Sequence, residues 1–205
     1  ITKDTRTVTA ARGNILDRYG RVLVSNKECY NLVIDSTKLF ANDDPNAVIL
    51  ELIEMVRGFG DTYTDDLPIT TEPPFEYTDM TEIQRTMLEA YFVDKASDFK
   101  DAGLPESPSA VELMSYMRTR YGISNEYSAE QMRMIAGLRY SINVRYAVNT
   151  ADYIFVEDAS MKLISSIMEN KLVGIEVERA YSRKYGTEYA AHILGYTGLM
   201  TQEEY

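Results

Sequence analysis

Strand patterns lie at the two ends of this chain of 205 residues, and helical patterns lie between them. This separation restricts the fold more than any other feature of the sequence. Residues 7–10, 21–24 and 30–35 favour strands near the N-terminus, and residues 153–156 and 173–181 favour strands near the C-terminus. We therefore predict an α+β fold: strands from both ends form one small β-sheet, and a helical lobe is inserted between them.

The predicted helical lobe spans residues 41–140, and the predicted β-rich base comprises residues 1–40 and 141–205. Residues 96–107 are interpreted as a polar connector, and residues 143–149 as an extended segment. Capping residues, prolines and glycines predict six helices. They run from Pro45 to a stop at Gly58 and Gly60, over residues 78–92, 107–122 and 128–140, onward from a cap at Asp158, and over residues 189–194.

Residues 12–24 predict a charged β-hairpin. Asp17 and Gly20 occupy the first and fourth positions of an Asp-Arg-Tyr-Gly turn, which suits a type I turn. Turns at Gly13 and Gly20 would give a small antiparallel meander. Charged side chains are crowded in this stretch, namely Arg12, Asp17, Arg18 and Arg21. By themselves these residues also fit an ordinary charged hairpin.

The composition excludes several classes of function. A net charge of −11 and a pI near 4.6 argue against nucleic-acid binding, which requires clustered basic residues, and against adhesion to anionic lipid. Cys29 is the only cysteine, so no internal disulfide can form, and its apolar surroundings predict burial. Most methionines fall in predicted helices, where core filling is expected and a docking face on the lobe is the alternative.

The sequence contains no run of 18 apolar residues and no visible signal peptide, so no segment is predicted to cross a membrane. Because Ile1 is not a natural start, we expect further sequence upstream. The capping-box pattern at residues 201–204, directly before the last residue, predicts further sequence downstream.

The sequence shows little that could support catalysis or cofactor binding. His192 is the only histidine, which excludes multi-histidine metal sites and argues against a Ser-His-Asp triad. We expect this side chain to be structural and hydrogen-bonded. No Cys/His cluster and no Gly-rich phosphate loop is present, so no metal and no cofactor is predicted.

Three short matches to motifs of serine enzymes are interpreted as coincidences. Ser97 and Lys100 fit an SxxK pattern, Ser141 begins an SxN pattern, and Lys184 begins half of a KTG pattern. Their separations are too short for a catalytic domain that would itself exceed this chain, and Ser97 lies in a predicted polar connector. A small serine enzyme using Ser97 and Lys100 is kept only as an alternative.

Two motifs resemble a known family. Residues 12–24 (RGNILDRYGRVLV) resemble the RGxIxDRxGxxLA signature that opens the extracytoplasmic part of class B penicillin-binding proteins. Residues 190–198 (AAHILGYTG) resemble that family's AAHxLGYxG motif and supply His192, Gly195, Tyr196 and Gly198. Both motifs belong to the non-catalytic pedestal, also called the dimerisation domain. The resemblance is specific over residues 6–35 and 150–205.

One element departs from the family pattern. An Arg-x-Tyr element normally precedes the second motif at a fixed distance and is followed by proline. Both Arg179-Ala-Tyr181 and Arg183-Lys-Tyr185 fit approximately, one slightly early and the other slightly late, and neither is followed by proline. The conformation before Gly186 is therefore open at this stage.

The resemblance implies that this chain is not itself an enzyme. It implies a parent protein that binds penicillin and cross-links peptidoglycan as a DD-transpeptidase, at the extracytoplasmic face of the bacterial cytoplasmic membrane, held by one N-terminal transmembrane helix. The implied partners are the C-terminal transpeptidase domain of the same parent, a SEDS-family glycan polymerase, and scaffold proteins or a second copy in a homodimer. The alternative is a stand-alone extracellular interaction domain.

The resemblance also implies a role for the motif residues. In the family the two motifs pack together at the base of the pedestal, so Arg12, Asp17, Arg18 and Arg183 are expected to form charge-assisted hydrogen bonds that lock the two chain ends together. The alternative is a role at the seam with the catalytic domain or with a partner.

Overall fold

The computed structural model describes residues 11–148 and 153–186, except for the side chains of residues 146–148. In this part of the chain, helices and an antiparallel sheet form an α+β fold, which confirms the predicted fold class. The strands are β1 (Ile15–Leu16), β2 (Val22–Ile34), β3 (Tyr153–Val156) and β4 (Ile175–Tyr185). The helices are α1 (Ser36–Phe40), α2 (Pro45–Phe59), α3 (Glu82–Asp94), α4 (Ala96–Asp101), α5 (Ala110–Arg120), α6 (Ala129–Val148) and α7 (Met161–Asn170).

The chain divides into two compact units, with a boundary that falls within β2 and β4. The hairpin unit contains the described residues 11–29 and 179–186. The helical unit contains the described residues 30–148 and 153–178. The predicted division into a base and an inserted lobe remains a prediction.

Strand β2 pairs with all the other described strands. In the hairpin unit it pairs antiparallel with β1, and the Gly186 N–H donates to the Leu23 carbonyl at 2.8 Å. In the helical unit it pairs antiparallel with β3, and the Asp35 N–H donates to the Gly174 carbonyl at 2.9 Å. The sheet therefore uses strands from both ends of the chain, as predicted. β4 ends at Tyr185 and so continues beyond the predicted range of 173–181.

The N-terminal strands differ from the predicted meander. The turn at Gly20 is confirmed by a hydrogen bond from its N–H to the Asp17 carbonyl at 3.0 Å, whereas no turn is assigned at Gly13. β2 is one continuous strand where two had been predicted, because its polar middle, residues 25–28, is partly or fully exposed and hides the apolar alternation. Residues 7–10 lie outside the described part. Cys29 is buried in β2, as predicted.

Helix α6 is the central helix of the helical unit and was wrongly predicted to end near Tyr140. Residues 132–138 are all buried, so this stretch lacks the alternation of apolar and polar faces from which the extent of a helix is predicted. Ile142 and Val144 are also buried, which shows that packing overrides the strand preference of β-branched side chains. The predicted extended segment over residues 143–149 is therefore wrong as far as Val148.

Three helices begin at a different cap from the one predicted. Thr81 caps α3 and Ser109 caps α5, each in a reciprocal capping box with the third helical residue, Gln84 or Glu112. Ser160, rather than Asp158, caps α7. Several possible caps stand side by side in each segment, and the hydroxyl that can reach the N–H three residues later is the one used.

The remaining helices include one confirmed prediction and two that were missed. α2 begins at Pro45 after the Asp44 cap and ends at Phe59, before the left-handed Gly60, as predicted. The short helix predicted over residues 189–194 lies outside the described residues. The short helix α4 lies in the predicted connector, where it buries Phe99. The short helix α1 is capped by Asp35 and had not been predicted. Four helical methionines fill the core as expected, namely Met114, Met117, Met132 and Met134, whereas Met161 and Met168 of α7 are exposed.

A buried arginine holds the irregular segment that follows α2. Arg133 lies on α6 with 2% of its side chain exposed. Its Nη2 donates to the carbonyls of Leu67 and Ile69 at 2.7 and 2.9 Å, and its Nη1 donates to Asp65 at 3.0 Å. A buried guanidinium requires a carboxylate and further acceptors to offset its loss of hydration, and this segment supplies both.

Gly137 provides the space for this ion pair. It lies one helical turn after Arg133, and an added Cβ would lie 2.8 Å from Asp65 Oδ1 and closer still to Arg133 Nη1. No real Cβ tolerates such an approach, so the absence of a side chain at Gly137 permits the buried pair.

Replacing Gly137 by alanine is expected to lower the free energy of unfolding by about 1–3 kcal/mol, because the guanidinium must shift from its fixed partners. The control is Gly58→Ala in α2, where an added Cβ meets nothing within 4 Å. That variant is expected to gain up to about 1 kcal/mol from helix propensity. Urea unfolding followed by circular dichroism measures both. Equal stability of the two variants would contradict this role of Gly137.

Candidate functional site: the motif residues of the hairpin unit

The carboxylate of Asp17 organises the turn between β1 and β2. Its Oδ1 accepts the backbone N–H groups of Tyr19 and Arg21 at 2.8 and 2.9 Å, and its Oδ2 accepts Arg21 Nε at 2.7 Å. Gly20 completes the turn with φ at +81°, a conformation that favours glycine. The Asp-Arg-Tyr-Gly sequence thus supplies both the acceptor and the left-handed residue.

The ionised form of Asp17 is the form that the turn stabilises. The backbone N–H of Arg21 lowers the pKa of this carboxyl, and the Arg21 side chain and the Tyr19 N–H add to the effect, against a smaller opposing effect of burial. Asp17 therefore acts as a charged turn-former paired with Arg21.

Arg183 connects β4 to the segment before β1. Its Nη1 donates to the Gly13 carbonyl at 2.8 Å and to Asn26 Oδ1 at 3.1 Å. The Asn26 side-chain amide in turn donates to the Arg12 carbonyl. Residues 170 positions apart in the sequence are thereby joined through one guanidinium and one amide within the hairpin unit.

Arg18 and Tyr19 form a separate contact on the surface of the hairpin. The Arg18 guanidinium lies 4.6 Å from the Tyr19 ring centre and donates to the Tyr19 hydroxyl. Tyr19 itself is 67% exposed. Arg12, Asp17, Arg18 and Arg183, the four charged residues expected to join the chain ends, enter three separate sets of contacts. Asp17 pairs with Arg21, and Arg18 contacts Tyr19. Arg183 binds Gly13 and Asn26, and the Asn26 amide donates to the Arg12 carbonyl.

Asn26 is the residue of this site that sequence reasoning missed. It lies in the polar middle of β2, and nothing local distinguishes it from Ser25 or Lys27. The partner segment that it meets is remote in sequence, so only the fold reveals its role. The second motif, with His192, Gly195, Tyr196 and Gly198, lies outside the described residues.

The residues of the serine-enzyme alternative are not arranged for catalysis in the described structure. Ser97 and Lys100 are both exposed on α4. Ser141 is fully buried, and its Oγ accepts the Asp66 N–H at 2.9 Å. Ser141 therefore packs in the core of the helical unit. Ser97 and Lys100 lack the buried setting in which a lysine can act as the base for a serine hydroxyl.

The described part of the chain contains neither a metal-binding cluster nor a membrane-spanning helix. No group of three or more His, Cys, Asp or Glu side chains there is arranged to hold a metal ion. No described helix combines the length and the apolar character needed to cross a membrane.

The comparison with protein families decides the identity of the module. The model of the Penicillin-binding Protein dimerisation domain matches residues 7–205 of this chain. The chain belongs to this family. The matched region is a dimerisation domain of penicillin-binding proteins, and it contains no catalytic domain.

Solved structures of penicillin-binding proteins are similar to this dimerisation domain at low identity. Penicillin-binding protein 2B from Streptococcus pneumoniae strain 5204 has 17% identity and a TM-score of 0.36, with 88% of this chain and 26% of that chain covered. The same protein from strain R6 has 16% identity and a TM-score of 0.35, with 91% and 27% covered. The dimerisation domain thus spans about a quarter of these two chains. No curated protein sequence matches it significantly.

Replacing Gly20 by alanine is expected to destabilise the dimerisation domain by about 1–2 kcal/mol, the cost of a left-handed conformation for a residue with a Cβ. Steric clashes do not add to this loss of stability, because a Cβ added at Gly20 meets no atom within 4 Å. Gly13→Ala is the matched control, since Gly13 is equally open and has no positive φ. Chemical unfolding of both variants tests this, and a loss in Gly13→Ala as large as that in Gly20→Ala would contradict it.

The ionised Asp17 is expected to stabilise the folded domain above the ordinary carboxyl pKa of 3.8, and this contribution is lost as the pH falls through the lowered pKa of the folded state. Asp17→Asn should therefore be less stable than the unmodified domain at neutral pH, and the difference should shrink in acid. Urea midpoints across this pH range measure it. A difference that does not depend on pH would show that the charge of Asp17 contributes nothing.

Proposed function

We propose that this chain is the non-catalytic pedestal of a class B penicillin-binding protein whose parent cross-links peptidoglycan as a DD-transpeptidase. The single observation that supports the proposal most strongly is the family match across residues 7–205. The parent's catalytic serine would lie in a separate transpeptidase domain, and the pedestal would contribute position rather than chemistry. The parent would act at the extracytoplasmic face of the bacterial cytoplasmic membrane, anchored by a single N-terminal helix.

The contacts of the hairpin unit support a positional mechanism. Arg183 on β4 binds the main chain at Gly13, and the Gly186 N–H binds the Leu23 carbonyl, so the N-terminal and C-terminal segments are tied side by side. In the proposed parent, the membrane anchor would enter through the first segment and the transpeptidase domain would leave through the second. A stiff connection between the two would set the distance of the transpeptidase from the membrane.

The motif residues are proposed to maintain this connection. Asp17 and Gly20 form the turn, and Arg183 and Asn26 join the remote segments. In the second motif, His192, Gly195, Tyr196 and Gly198 are proposed to complete the same base. Arg18, which stacks on the exposed Tyr19, is placed to contribute instead to a contact with a neighbouring domain or protein.

The partners proposed for the pedestal are the transpeptidase domain of the same parent and a SEDS-family glycan polymerase, with scaffold proteins or a second copy of the chain as further candidates. The chain itself carries a net charge of −11, which does not favour nucleic acid as a partner. No cofactor is required for a positional role.

Charge reversal at Arg183 tests the positional mechanism. Arg183→Glu in the parent protein removes the hydrogen bonds to Gly13 and Asn26, and the expected loss of pedestal stability is about 1–2 kcal/mol after allowance for partial exposure. Stimulation of the glycan polymerase should fall, while covalent labelling of the transpeptidase domain by a fluorescent penicillin should persist. The matched control is Lys184→Glu, which makes the same charge change at the exposed neighbouring residue.

The outcomes of this experiment separate the alternatives. Full polymerase stimulation by Arg183→Glu would contradict the mechanism, as would an equal effect of Lys184→Glu. The same assay on Arg12→Glu and Arg18→Glu separates stability from docking, because a docking role for Arg18 predicts lower stimulation at unchanged stability. Covalent penicillin labelling of this chain alone, abolished by Ser97→Ala, would instead support the small serine enzyme.

A further inference from the structure

The guanidinium of one arginine in the helical unit is held by an amide and two aromatic rings. Arg139 lies on α6, and its Nε donates to Asn46 Oδ1 at 2.8 Å. Its guanidinium lies 4.8 Å from the ring centre of Phe40 and 5.3 Å from that of Tyr121. Two aromatic rings and one amide therefore fix the position of this charge.

Asn46 is itself rigidly oriented. It is buried in the first turn of α2, and its Nδ2 donates to the carbonyls of Tyr121 and Gly122 at 3.1 and 3.2 Å. With both carbonyls after α5 engaged, the amide oxygen is forced to face α6. Asn46 thus anchors Arg139 through Nε and leaves the outer edge of the guanidinium, with its two Nη groups, unoccupied by this contact.

In the described structure the other two arginines of α6 meet a carboxylate, whereas Arg139 does not. Arg133 pairs with Asp65, and Arg145 pairs with Asp66 through two hydrogen bonds of 2.9 and 3.1 Å. In the described structure, no ion pair and no hydrogen-bond acceptor engages the Nη groups of Arg139. Those atoms are also not among the buried polar atoms that lack a partner, so they are reachable from solvent.

The electrostatic surroundings agree with this geometry. Burial lowers the pKa of Arg139, and the nearby Tyr121 and Asp44 only partly oppose that effect. Asp44 uses its carboxylate oxygen to cap α2 through the Ala47 N–H at 3.0 Å. A half-buried guanidinium without a direct carboxylate partner gains free energy when an external anion supplies one.

We propose that Arg139, flanked by Phe40 and Tyr121, is a recognition site for a carboxylate group of a partner polypeptide, either an acidic side chain or a C-terminus. A carboxylate matches the planar fork of a guanidinium through two parallel hydrogen bonds. Phe40 is 41% exposed and offers an apolar surface beside the charge, which suits a carboxylate next to an apolar side chain. The site lies wholly in the helical unit and does not depend on the proposed function.

The first test uses acetate as the probe on the unmodified 205-residue chain. Titration with sodium acetate at constant ionic strength, with chloride as the replaced anion, is followed through the arginine Nε–Hε signals by NMR. The Arg139 signal is expected to shift and saturate. The Arg145 signal is the internal control and should not move, because Asp66 already occupies its guanidinium.

Variants then test the geometry of recognition. Arg139→Lys keeps the charge but loses the fork, so acetate affinity should fall by about tenfold, the effect of one lost charged hydrogen bond. Affinity is read from the backbone amide signals of Phe40 and Tyr121. Arg57→Lys is the control, because Arg57 is exposed and already pairs with Glu130. The acetate affinity of the Arg139 site in this variant should be unchanged.

Each result bears on the proposal. A saturable Arg139 shift with acetate that is weakened in Arg139→Lys supports a carboxylate site. A shift with inorganic phosphate but not with acetate overturns the carboxylate assignment, and equal non-saturating shifts of Arg139 and Arg145 overturn the site altogether. If Arg139→Lys fails to fold, the titration of the unmodified chain still decides between these outcomes.

Discussion

The hydrogen bonding of strand β2 is the constraint on which the rest of this structure depends. In the hairpin unit β2 pairs with β1, and its Leu23 carbonyl accepts the Gly186 N–H. In the helical unit β2 pairs with β3, and the next residue, Asp35, donates its N–H to the Gly174 carbonyl. Its partners come from both ends of the chain. A slip of one residue would turn every side chain of β2 to the opposite face, so the register must be maintained throughout.

A second constraint operates inside the helical unit. The guanidinium of Arg133 is almost completely buried and is stabilised only by its hydrogen bonds to Asp65, Leu67 and Ile69. Loss of the Asp65 carboxylate would leave a buried positive charge without its ion-pair partner, which is strongly destabilising. The irregular segment after α2 must therefore follow the path that brings these acceptors to Arg133. Gly137 belongs to the same arrangement, because only a residue without a side chain leaves space for the pair. Arg139, two residues after Gly137 on α6, pairs with no carboxylate in the described part of the chain.

The sequence predicted the elements whose signals are local. The strands over residues 21–24, 30–35, 153–156 and 173–181, the turn at Gly20 and the start of α2 at Pro45 depend on neighbouring residues, and the structure confirms them. The length of α6 could not be predicted, because residues 132–138 are buried on every face and show no alternation of polar and apolar faces.

The partner residues of the site could not be predicted for a related reason. Asn26 and Arg133 have ordinary sequence surroundings, and their roles arise from contacts with segments remote in the chain. Resemblance to the family nevertheless singled out Gly13 in the hairpin motif and Arg183 in the Arg-x-Tyr element, and the structure brings these two residues together. The motif thus identified the place of the contact and missed the amide that completes it.

In this dimerisation domain of the penicillin-binding protein family, a guanidinium and strand pairing tie the N-terminal segment to the C-terminal one. We propose that such a pedestal connects a membrane anchor to a transpeptidase. Sequencing the gene on both sides of the segment encoding residues 1–205 tests this proposal. We expect a single apolar helix upstream and SxxK, SxN and KTG motifs spread across a large domain downstream. A stop codon soon after Tyr205, with no transpeptidase encoded, would contradict it.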